Sequence, residues 1–440
     1  MTPATPTTTT ARGAAPQLVQ LLQQYLQGPS PVRVRAWDGT EAGPAGAPLV
    51  ALRSRRALRH LLWQPGELGL ARAYVTGELD VPGDLREGLS AALRTVRESG
   101  TAPAPTLSDK AAALRVLARL GAVGPKPPVP AGEVRLSGAL HSRGRDRKAI
   151  SHHYDLPPEF YALLLDPAMA YSCGYWTRPP GEQGYGLPQA QRDKLELVCR
   201  KLGLRPGARL LDVGCGWGSL SLYAAERHGA KVTSVTLARE QAEYVREQVR
   251  ERKLEDLVDV QLCDYRDIPG GWYEAAASLE MGEHVGDAEY PGFAAMMHRM
   301  LRPRGRVLIQ QMSRGANAPG GGAFIEAYIA ADMHMRPVGE TVGLLEGAGL
   351  EVRSVDSMRE HYVHTIAAWA EALEENWDEV VSLAGPETAR IWRLYLAGSG
   401  LAFQERRMGV DQVLAVRPDN DGGSGLTGTL RDWYPECAGS

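Results

Sequence analysis

Apolar and polar positions follow two rhythms along this 440-residue chain, and the change between them divides it. Over residues 17–27 the apolar positions Leu18, Leu21, Leu22 and Leu26 recur at helical spacing, and residues 56–63, 68–75 and 85–96 keep that period. Residues 32–37 alternate apolar and basic side chains like a strand, residues 49–53 offer a second strand, and residues 77–80 read as a turn. Proline clusters at 101–105 and 124–130 flank a helical segment over 109–120, a composition that suits a connector better than a core. The pattern predicts a disordered tail over 1–14, then a small, mostly helical N-terminal domain with its linker over 15–135. A second domain then runs over 136–440.

Beyond residue 190 strands and amphipathic helices alternate. Apolar runs at 209–213, 231–236, 258–262, 275–279 and 306–311 read as buried strands, with helical patterns such as 239–253 and 290–301 between them. Segments 350–354 and 409–416 are candidates for closing strands. This rhythm predicts an α/β fold, a parallel sheet covered on both faces. At the first strand stands Leu210-Leu-Asp-Val-Gly-Cys-Gly-Trp-Gly218, followed by a helical segment. Glycines there let the chain turn tightly and let a ligand lie against the backbone, while the next helix offers free N–H groups. The spacing of Gly214, Gly216 and Gly218, with Asp212 just before, differs from the dinucleotide pattern. It resembles the S-adenosylmethionine (SAM) site of Rossmann-like class I methyltransferases.

Composition narrows the picture only slightly. The 44% hydrophobic and 23% charged residues are ordinary for a globular chain, and a net charge of −3 supplies no global pull toward nucleic acid. The five cysteines have no metal-ligand or disulfide spacing, so reduced thiols, no metal and a cytoplasmic location are expected. Neither a membrane-spanning run nor a secretory leader is evident.

Longer motifs carry a family resemblance. Val235-Thr-Leu-Ala-Arg-Glu-Gln241, His152-His-Tyr-Asp-Leu-Pro-Pro-Glu-Phe-Tyr161, Tyr171-Ser-Cys-Gly-Tyr175, Glu280-Met-Gly-Glu-His-Val-Gly286 and Tyr395-Leu-Ala-Gly-Ser-Gly-Leu-Ala-Phe403 resemble the cyclopropane fatty acid synthases and mycolic acid cyclopropane synthases. Each residue taken singly has an ordinary structural reading: a solvated Glu-His pair, a buried cysteine, a core tyrosine. Their joint occurrence in order favours the functional one. The resemblance implies SAM contacts from Tyr171, Ser172, Gly214, Gly216, Thr236 and Gln241. Asp212 and Gly218 belong to the same loop, and Asp264 and Tyr265 stand where the adenine edge is usually met.

The resemblance also implies methylation of the double bond of an acyl chain on a phospholipid. A bound bicarbonate ion would serve as base, beside Cys173, Glu283 and Tyr395. At the family's bicarbonate-binding histidine this chain has Gln310, which cannot take a proton. That change, with Ala331-Asp-Met-His-Met-Arg-Pro-Val338 and Arg359-Glu-His-Tyr-Val-His-Thr365, resembles the actinobacterial branch of tuberculostearic acid synthesis. Its members turn an oleoyl chain into a 10-methylene-stearoyl chain, which a separate reductase would then saturate. Cyclopropane formation stays open as the alternative product. A methyltransferase of soluble small molecules and a binding protein with a decayed site are more distant readings. Basic clusters at 53–60 and 141–148 are candidates for peripheral docking on the inner face of the membrane. The N-terminal domain is also open to a role in homodimerisation.

Overall fold

The computed structural model describes residues 13–98, 106–134, 138–146, 156–315 and 320–426. The chain forms two compact units, one of residues 1–133 with 385–398 and one of 134–384 with 399–440. The return of 385–398 to the first unit is a feature the linear pattern does not reveal.

The first unit contains α1 (Ala14–Leu26), β1 (Arg33–Arg35), β2 (Glu41–Ala42), β3 (Leu49–Leu52), α2 (Arg56–Trp63), α3 (Glu67–Val75), β4 (Leu79–Asp80), α4 (Leu85–Glu98) and α5 (Leu107–Arg119). Helices dominate, beside a four-stranded sheet of order β2-β1-β3-β4. The segment expected as a turn supplies β4, whose Leu79 and Asp80 pair with Leu52 and Ala51. Two residues are too few to show a period of two. Helix α1 starts inside the expected tail, with the Ala14 N–H donating to the Asp38 carboxylate at 2.8 Å; residues 1–12 lie outside the described residues.

The expected connector is fixed to this unit. Leu117 and Leu120 pack on the core built from Ala15, Val34, Leu58 and Tyr74. Trp63 Nε1 donates to the Gly124 carbonyl at 3.0 Å and Arg59 Nε to that of Ala122 at 3.3 Å. The first basic cluster is likewise engaged internally: Arg53 pairs with Asp80, and Arg56 with Glu78 at 2.6 Å. Both arginine side chains nevertheless stay more than half exposed.

The second unit is built on a seven-stranded sheet of order β10-β11-β9-β8-β5-β6-β7. Its strands are β5 (Arg209–Val213), β6 (Lys231–Thr236), β7 (Val258–Leu262), β8 (Tyr273–Leu279), β9 (Leu301–Ser313), β10 (Glu351–Ser357) and β11 (Gly409–Val416). Helices α6 (Pro158–Leu164), α7 (Leu187–Leu202), α8 (Ser219–His228), α9 (Arg239–Glu251), α10 (Tyr290–Met300), α11 (Ala323–Tyr328), α12 (Val338–Gly347) and α13 (Arg359–Glu375) accompany them. Helix α14 (Trp377–Gln404) breaks at Gly385, where φ is 83° and Pro386 follows.

Neighbouring residues of β5 point to opposite faces. Leu210 joins the layer of Leu195, Leu220 and Val245, while Leu211 joins that of Phe293, Met297 and Leu345. Both are fully buried, worth roughly 1.5–3 kcal/mol each. This is the Rossmann-like α/β fold that the alternation predicted, with one difference. Strand β11 runs antiparallel to both β9 and β10. Its residues are buried from Val410 to Val416, and such a pattern records burial on both faces but not direction.

Candidate active site

The order of the strands reverses between β5 and β8, and a cleft opens at the carboxyl ends of β5, β6 and β8, where doubly wound sheets bind ligands. Of the expected site residues, Tyr171, Ser172, Asp212, Gly214, Gly216, Thr236, Gln241 and Tyr265 line it. Gly214 has φ of 80°, and a Cβ there would stand 2.8 Å from the Met281 side chain. Asp212 accepts from Ser221 Oγ at 2.7 Å, and burial pushes its carboxyl up to about 6. Lys194, fully buried, donates from Nζ to Ser172 Oγ at 2.9 Å and offsets part of that charge.

Two expected cofactor residues do other work. Gly218 caps α8 and does not line the cleft; a Cβ there would meet Val245 at 2.9 Å, so the glycine lets α8 pack against α9. Asp264 is also absent from the lining. Its carboxylate is held by Arg266, with Nε at 2.8 Å and Nη2 at 2.6 Å, which leaves Tyr265 and Arg266 to face the cleft.

The residues in the cleft fit SAM. Thr236 Oγ1 donates to Gln241 Oε1 at 2.8 Å, which fixes the orientation of the amide. Gln241 Nε2 is left buried with no acceptor, beside the glycine loop. A ribose hydroxyl is the group that satisfies such a donor.

Deeper in the cleft the geometry differs from expectation. Cys173 is fully buried, and burial holds its thiol well above the usual range, so it is no nucleophile. Its backbone N–H donates to Glu280 Oε1 at 2.7 Å. Gln310 Nε2 donates to the same oxygen at 2.8 Å, and the Tyr362 hydroxyl to Glu280 Oε2 at 2.5 Å. Glu280 lines the cleft, although burial raises its pKa against the pull of these donors.

Behind Gln310 runs a relay whose sense is fixed by charge. The Lys201 ammonium, paired with Asp356 at 2.7 Å, can only donate, so Gln412 presents its oxygen to Lys201 at 2.8 Å. Gln412 Nε2 then donates to Gln310 Oε1 at 2.8 Å, which turns the Gln310 amide N–H toward Glu280.

Glu283 does not line the cleft. It is 1% exposed and no side chain donates to its carboxylate; burial with repulsion from Glu280 pushes its pKa up to about 8, against the pull of the backbone N–H groups of Glu283 and Met312. Arg336, also buried, pulls the other way. Tyr395 belongs to the 385–398 stretch of the first unit, its ring edge-on to Trp392 at 5.7 Å. The motif at 152–155 lies outside the described residues.

A bicarbonate ion does not fit this donor set. The Cys173 N–H and the Gln310 amide are spent on Glu280, and Gln310 is fully buried within protein partners. Sequence reasoning missed Glu280, Tyr362 and Lys194. The available signal was the position of Glu280 at the carboxyl end of a central strand beside the reversal of strand order. Among the described residues, no cluster suits a metal ion, and no helix is long and apolar enough to cross a membrane.

Comparison with known proteins agrees with this geometry. A relative described as a probable fatty acid methyltransferase of Mycobacterium tuberculosis is 36% identical, covering 97% of this chain and 99% of its own. The tuberculostearic acid methyltransferase of the same organism is 31% identical over 88% of each chain. The crystal structure of mycolic acid cyclopropane synthase CmaA1 complexed with SAH and CTAB superposes with a TM-score of 0.57 at 28% identity. It covers 61% of this chain and 97% of that one. Residues 141–413 match the family model for mycolic acid cyclopropane synthetase, and the chain belongs to that family of SAM-binding methyltransferases.

Proposed function

We propose that the chain transfers the methyl group of SAM to the double bond of an unsaturated fatty acyl chain on a phospholipid, converting an oleoyl to a 10-methylene-stearoyl chain. The observation that carries this reading is a cofactor cleft ending at an ordered carboxylate, in a chain that matches fatty acid methyltransferases over nearly its whole length. Bound SAM supplies an electrophilic methyl. The glycine loop, Thr236 and Gln241 fix where that methyl stands, since a feeble nucleophile such as an alkene reacts only when aligned and kept from water. Tyr171, tilted against Trp369 with ring centroids 5.3 Å apart, supplies an aromatic ring to the lining, suited to a passing carbocation.

The acyl substrate requires contact with a membrane surface. Leu107, Leu114 and Trp63 of the first unit are 84%, 52% and 52% exposed and are candidates for that contact. A methylene product would pass to a separate reductase.

Proton NMR of an oleoyl phospholipid after incubation with SAM tests the reading. Vinylidene signals are expected. Upfield ring signals would favour the cyclopropane product named by the family model, and unreacted lipid would overturn the acyl-chain assignment.

A further inference from the structure

We infer that Glu280 is the base of the reaction, a carboxylate built into the chain at the position where a free anion would otherwise have to be bound. The inference rests on the methylation of an alkene proposed above.

Three observations converge on it. Glu280 lines the cofactor cleft, while the fully buried Glu283 behind it does not. Its two oxygens accept from a backbone N–H, a side-chain amide and a phenol, at 2.7, 2.8 and 2.5 Å. Donors converging in this way from three elements make an anion slot, and the slot is filled by the protein. Finally, Glu280 holds φ at 53°, in the left-handed region that glycine adopts at no cost. A bulky residue kept there points to a requirement for its side chain.

Charge supports the same assignment. Burial raises both carboxyls, but three donors meet Glu280 and Lys194 pulls its pKa down, whereas repulsion from Glu280 helps push Glu283 up to about 8. These donors favour placing the negative charge of the pair on Glu280. The three donors stabilise that charge and also blunt the carboxylate as a nucleophile, which disfavours its capture of the cation. Lys201, through Gln412 and Gln310, keeps the amide donor facing the right way.

The step balances. The alkene π pair forms the bond to the methyl carbon, and the S–CH3 pair leaves with sulfur. The cation stands on the carbon beside the methylated one; for a methylene a hydride first shifts to it from the methylated carbon. In either course the new methyl then gives a proton to a Glu280 oxygen. The freed C–H pair becomes the π bond of a methylene, or the third side of a ring. Glu280 returns the proton to water once product leaves.

The test uses the full-length protein, SAM and oleoyl phospholipid vesicles in buffer stripped of carbon dioxide. Wild-type turnover is expected to be unchanged when bicarbonate is added. Glu280→Gln is expected to bind SAM normally and lose about 10²–10⁴-fold in turnover. Glu280→Gly suits the local φ and leaves the three donors empty. Formate or bicarbonate should restore part of its turnover and raise its melting temperature, with no such shift in wild type.

Turnover of Glu280→Gln within a few-fold of wild type would overturn the inference, and so would a wild-type requirement for bicarbonate. A folded, SAM-binding Glu280→Gly that no small anion stabilises would do the same. A wild type inactive on every unsaturated lipid would instead sink the substrate reading. The anion-dependent melting of Glu280→Gly would still decide whether the slot exists.

Discussion

Replacing Glu283 with glutamine isolates a buried acid whose charge state is set by its surroundings. No side chain donates to Glu283, and its pKa rises from 4.5 to about 8 through burial and the nearby charge of Glu280, which outweigh the backbone N–H groups of Glu283 and Met312. The folded protein therefore holds a proton that the unfolded chain releases. The resulting stability is fully present below about pH 4.5 and falls by about 1.4 kcal/mol per pH unit as pH rises. It levels off above about pH 8. Glutamine imitates the neutral acid but cannot titrate, so its own unpaired N–H groups cost the same at every pH. The stability of Glu283→Gln relative to wild type should thus improve by about 3 kcal/mol between about pH 5 and pH 7.5. Thermal unfolding of both proteins across that range reads this as a widening melting-temperature gap of roughly 5–10 °C. SAM affinity should not change, because Glu283 does not line the cleft. A gap that stays constant with pH would refute the picture of a neutral buried acid.

Other expectations follow from the same geometry. Lys201→Met leaves Asp356 without its partner and frees the Gln412 amide to turn. It should cost about 1.5–3 kcal/mol in thermal or urea unfolding, and an unchanged midpoint would refute the relay's contribution to stability. Gln241→Ala removes the donor assigned to the ribose, and calorimetric SAM affinity should fall by roughly 2–12-fold with little change in melting temperature. Leu107→Glu with Leu114→Glu should weaken sedimentation with oleoyl phospholipid vesicles and leave SAM binding intact; unchanged sedimentation would exclude that face as the contact.

Much of the second unit was legible in the sequence because its strands are short apolar runs bounded by turns, and burial on both faces leaves that trace. The direction of β11 was not legible, since an antiparallel central strand is as apolar as a parallel one. The glycine loop announced the cleft, but the separate task of Gly218 depends on Val245, on the next helix but one strand away. Gln310 could be placed by its motif. Its role depends on Gln412 and Lys201, about a hundred residues away on either side, and no local pattern reports that. Glu280 follows an apolar strand, where a carboxylate ordinarily meets water; only Cys173, Gln310 and Tyr362 together reveal an acid held in place.

The return of residues 385–398 to the first unit has a consequence for biosynthesis. Arg390 donates to the carbonyls of Tyr74 at 2.6 Å and Leu79 at 2.9 Å, and Ala397 completes the core around Leu58 and Leu79. The N-terminal unit begins first on the ribosome yet lacks part of its core until about nine-tenths of the chain has been made. Its unfinished apolar face must wait through synthesis of the whole methyltransferase sheet, open to chaperones or to aggregation. A fragment ending at the first boundary would inherit that exposed face permanently, whereas one carrying a grafted 385–398 helix would close it.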